Sequence, residues 1–108
     1  MNEQIVIAFS TFPDKEIAAK IARDLVENAI VACANLVPSV ESIYFWNEKV
    51  ETSAEVFAIF KMTAARYPEF ESRLRKLHPY DVPEILRLNI AEGSAEYLRW
   101  IGESCGRN

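Results

Sequence analysis

The sequence predicts an α+β protein whose elements run β-α-β-β-α-β and close with an extra C-terminal helix. Three observations predict it. Short runs rich in β-branched and aromatic residues are separated by two stretches of helical period. Two of the runs stand back to back with only Asn47 and Glu48 between them, as in a hairpin. Helix-start and helix-stop residues bracket the periodic stretches.

Residues 5–9 are a short apolar run and make the first strand. Pro13, with Asp14 and Glu16 beside it, is a helix-start signal. Ile17, Ile21 and Leu25 then recur every fourth residue, so an amphipathic helix runs to about Asn28. Residues 31–46 read as a long strand interrupted by Pro38 and Ser39, most simply as a bulge at a sheet edge. Residues 49–62 make the third strand. Tyr67, Phe70, Leu74 and Leu77 share one helical face behind Pro68, with Arg73, Arg75 and Lys76 in the last turn, where the helix dipole favours cations. His78 precedes Pro79, which pushes it out of the helical region and ends the helix. Residues 85–90 make the fourth strand, and Ser94 caps a last helix through Tyr97, Leu98 and Ile101. This order is the ferredoxin-like arrangement, with a four-stranded antiparallel sheet.

The 108 residues predict a single domain, residues 1–108. Twelve basic residues face sixteen acidic ones, for a net charge of −4, with no basic stripe. Nucleic acid is therefore not an expected partner, and neither is an anionic membrane surface. No stretch reaches the ~20 apolar residues of a spanning helix. Met1, Asn2, Glu3 and Gln4 give no basic start followed by an apolar run, so no signal peptide is read and a cytoplasmic location is expected. Cys33 and Cys105 are expected as reduced thiols, Cys105 in a frayed C-terminal end.

The strands predict a partner. Helices cover one face of such a sheet, and a monomer would alternate apolar and polar residues. Here Ile5, Ile7 and Phe9 oppose Val6 and Ala8, and Val56, Ala58, Phe60 and Met62 oppose Phe57 and Ile59. Both faces are apolar, and soluble monomers rarely leave such a surface bare. A second copy of the chain is the economical cover. Residues 31–46 would span about 50 Å, against a radius of gyration of ~13 Å for a compact domain of this length, so the hairpin bends or reaches beyond its own domain. Tyr44 and Trp46 near its tip read as interface anchors.

Few residues could carry chemistry. His78 is the only histidine, in a loop stiffened by Pro79 and Pro83. It is either an imidazole ligand for a borderline metal or a helix end that hydrogen-bonds backbone. Cys33 is either a thiolate ligand suited to copper(I) or zinc, or a small buried hydrophobe. A carboxylate such as Glu84, at the end of the same loop, could join His78 at a metal. Glu55 and Lys61 share a strand face with Phe57 and Ile59, where they form either an anion pocket or an ion pair. There is no glycine-rich phosphate loop, no Cys-x-x-Cys, no His-x-x-x-His and no nucleophile elbow. An enzyme is not expected, and a general-base role for His78 or Lys61 ranks last. No cofactor is read from the residues alone.

Thr11-Phe12-Pro13-Asp14, Ala32-Cys33-Ala34-Asn35, Tyr44-Phe45-Trp46, Lys61, His78-Pro79-Tyr80 through Pro83-Glu84-Ile85, and Tyr97-Leu98-Arg99-Trp100 together resemble the CutA family of divalent-cation tolerance proteins. The order and spacing match over nearly the whole chain. The resemblance implies a ferredoxin-like protomer in a homotrimer built through sheets and hairpins. It implies a role in tolerance to divalent metal ions, with copper or another divalent cation as the ion. The family's copper-ligand positions fall on Ser10, Leu77 and His78, of which only His78 is a metal-binding residue. Cys33 matches a cysteine of the family motif, and Glu48 stands where the family often has glycine. The alternative implied is a PII-like trimeric signalling or scaffold module that binds a small metabolite or protein partner at clefts between subunits.

Overall fold

The structure, a computed structural model, describes residues 3–107. Met1 and Asn2, part of the stretch read for a targeting segment, lie outside the described residues, as does Asn108. The elements are β1 (Ile5–Phe12), α1 (Lys15–Glu27), β2 (Cys33–Trp46), β3 (Lys49–Thr63), α2 (Tyr67–Leu77), β4 (Leu86–Asn89) and α3 (Ala95–Gly106), with a 3₁₀ turn at Ala64–Arg66 leading into α2. The four strands lie in the order β2-β3-β1-β4, and every neighbouring pair is antiparallel. This is the α+β, ferredoxin-like arrangement that the sequence predicts, with α3 as the extra helix.

Period-two alternation builds the core. Val6, Ala8, Ser10 and Phe12 of β1 and Val56, Ala58, Phe60 and Met62 of β3 are buried on one face. Against them α1 lays Ala18, Ile21, Ala22 and Leu25, and α2 lays Phe70 and Leu74. Asp14 caps α1, its side chain accepting the Ile17 N–H at 2.8 Å. Arg73 of α2 donates to both carboxylate oxygens of Asp24 on α1 at 2.6 and 2.8 Å. That hydrogen bonding, helped by the guanidinium charge, holds the Asp24 carboxyl below its usual range.

Boundaries depart from the sequence reading where tertiary pairing decides. β1 runs on to Phe12 because Ser10, Thr11 and Phe12 pair with Ala58, Phe57 and Val56. β2 begins at Cys33, since the Ile30 and Val31 N–H groups turn back to the Leu25 carbonyl across Ala29, whose φ is 58°. β4 is one residue shorter at each end than the expected 85–90. α3 continues to Gly106, so Cys105 is not in a frayed end. It is buried, its thiol lies 3.8 Å from the Ile30 carbonyl, and burial pushes its pKa up. It sits four residues after Ile101, on the same buried face of the helix.

The β2–β3 hairpin carries the predicted irregularity, a register shift between Val37 and Val40 at Pro38 and Ser39. Asn47 and Glu48 at its tip have φ of 51° and 64°. A two-residue turn with both φ positive suits Asn-Gly, and glutamate there costs about 1 kcal/mol relative to glycine. The hairpin reaches outward, as its length implied. The chain measures 48 × 26 × 22 Å, and its radius of gyration of 14.6 Å exceeds the ~13 Å of a compact domain of this length. Phe45 and Val50 near the tip are 71% and 69% exposed. The sheet face opposite α1 and α2 carries Ile7, Phe9, Phe57, Ile59, Leu86 and Leu88, with the Phe9 and Phe57 rings 5.3 Å apart.

Candidate functional site

The residues singled out by sequence fall into two places, one at the end of the sheet beside Thr11 and Phe12 and one on its open face. The first is the loop 78–84, beyond the end of β4. Backbone carbonyls alternate along a strand, and the Ile5 carbonyl of β1 accepts from Ile90 on the β4 side. The Thr11 carbonyl therefore faces the same edge, but β4 ends opposite Phe9. His78 takes the place of the missing strand. Its Nε2 lies 2.8 Å from the Thr11 carbonyl, and the Tyr80 N–H donates to its Nδ1 at 3.1 Å. Nδ1 accepts, so Nε2 carries the proton and donates. The ring stacks on Phe12 at 4.7 Å and meets Tyr80 at 4.8 Å. Burial lowers the His78 pKa, opposed by its bond to Thr11 and by the charge of Glu55.

Tyr80 carries the network onward. Its hydroxyl donates to Glu55 Oε2 at 2.6 Å. Burial, followed by that bond and the Glu55 charge, drives the phenol pKa well up. Glu84 is close enough to feel Glu55, and burial plus that like charge raise its carboxyl pKa. The site is thus a neutral imidazole, a phenol locked to a carboxylate, and a second carboxylate that resists ionisation.

The low His78 pKa has a pH consequence. Above its ordinary value of about 6.5 both folded and unfolded chains hold the ring neutral. As pH falls below that value the unfolded chain takes up a proton first, so stability is lost on acidification. The raised pKa of Glu84 acts in the opposite sense, at lower pH. Thermal melts at pH 7.5 and pH 5.5 should therefore show a larger acid loss for the unaltered chain than for His78→Gln. Equal losses would refute the assignment.

The second place lies further along the sheet. Cys33 of β2, Lys61 of β3, Ile7 of β1 and Leu88 of β4 stand in one cross-strand row. Cys33 is half-buried, its thiol 3.6 Å from the Asn35 side-chain oxygen. The row is four β1 residues from Thr11, about 13 Å along the strand. The structure therefore brings Glu84 and His78 into one region and leaves Cys33 apart from them. Among the described residues no group of three or more His, Cys, Asp or Glu side chains could hold a metal ion.

The sequence model of one protein family, described as "CutA1 divalent ion tolerance protein", matches residues 6–104. The chain belongs to the CutA family. It is 43% identical over 106 residues to the divalent-cation tolerance protein CutA of Thermus thermophilus, covering 98% of this chain and all of that one. The solved structure of a Thermus thermophilus divalent cation tolerance protein superposes with a TM-score of 0.90 at 42% identity, covering 93% of this chain and 97% of that one. CutA1 from Oryza sativa gives a TM-score of 0.93 at 33% identity, with 95% and 94% covered.

In this member of the CutA family, the positions implied as copper ligands do not offer a ligand set. Ser10 points into the core, fully buried, its hydroxyl without a partner. Leu77 offers no donor, and both nitrogens of His78 are engaged within the chain. The sequence reading missed Tyr80 as the bridge to Glu55. The signal lay in Glu55 itself, a carboxylate among apolar strand neighbours that needs a donor when half-buried.

Proposed function

We propose that this chain serves tolerance to divalent metal ions as a cytoplasmic homotrimer, taking copper or another divalent cation weakly. The observation that carries the reading is the likeness to the Thermus thermophilus protein, named for divalent-cation tolerance, along 98% of this chain. The uncovered apolar sheet face and the outward hairpin support assembly.

The donors of one protomer do not fit a strong copper site. Cys33 and His78 are too far apart to share an ion, and an ion at His78 would displace one of two hydrogen bonds. Glu84 is the donor that a cation would favour most, because burial first and the Glu55 charge second raise its carboxyl pKa, and a positive charge offsets both. Carboxylates suit divalent ions broadly rather than copper alone. Further ligands would come from a second copy of the chain.

A host strain without this protein should grow worse in raised copper than one that carries it. Titration of the purified protein with copper(II) should show weak binding, reduced about tenfold in Glu84→Gln. Equal growth of the two strains, together with no binding to either protein, would refute the proposal.

A further inference from the structure

We draw no further inference here: the strongest candidate, the cavity between the residues before β1 and α3, lined by Glu3, Glu92, Arg99 and Glu103, is a cluster of exposed carboxylates around one exposed cation, and no second observation points to a ligand there.

Discussion

Replacing Phe60 by alanine should cost about 3–5 kcal/mol of stability, the usual range for emptying a buried aromatic site. The residue is fully buried on the helix side of β3, with its ring 5.1 Å from that of Phe70 on α2. Its cross-strand neighbours decide the magnitude. Ala8 on β1 and Ala34 on β2 stand directly opposite, so among these three cross-strand neighbours Phe60 is the only large side chain. Neither alanine can extend into the space, and the strands cannot close it without breaking their ladder. The loss is a large share of the 5–15 kcal/mol that holds a typical domain together. Denaturant unfolding at fixed protein concentration checks it: the midpoint should fall sharply with an unchanged slope. A loss under about 1 kcal/mol would show that the site collapses after all. Phe60→Leu should cost less, since it keeps most of the volume.

The architecture was legible from the β-branched and aromatic runs, the helical period of α1 and α2 and the turn residues between them, while the central strands, apolar on both faces, left open which face the helices cover. Residues whose fate is set by partners were harder. Ser10 breaks the apolar run and has no strand signal of its own, and β1 continues through it because Ala58 lies opposite, with Phe57 opposite Thr11. Cys105 follows a polar stretch and two glycines flank it, yet Ile101 fixes a helix face that carries it inward. Register is the piece that a sequence gives least readily. It placed Cys33 beside Lys61 and His78 beside Thr11, and so separated two residues that composition alone would group as soft metal ligands. His78 was read as either ligand or backbone partner, and its geometry is that of a backbone partner. The Tyr80–Glu55 bond joins residues 25 apart in sequence, and no local pattern announces it.

The open sheet face makes the other large prediction. Phe57→Asp should convert the proposed trimer to single chains. Phe57 lies on the side away from α1 and α2, against Phe9, with Thr11 and Val37 opposite in register. In a lone protomer an aspartate there can meet water, so the fold survives and circular dichroism should be near that of the unaltered chain. In a trimer each of three copies would bury an unpaired carboxylate, at a cost of several kcal/mol apiece. Burying the apolar groups of that face returns only about 1.5–3 kcal/mol for each fully covered large side chain. The charge outweighs what Phe57 contributed, and it does so at every interface of a closed ring, where each copy carries the same patch. Light scattering on a sizing column should read three times the 12.3 kDa chain mass for the unaltered protein and one chain for the variant. Lys20→Asp, an exposed change on the far side in α1, should leave the mass alone. A variant mass that does not fall, or an unaltered protein that already runs as one chain, would remove the assembly from the proposed function. Ile7, Phe9 and Ile59 would then be apolar for a reason that the sheet does not supply.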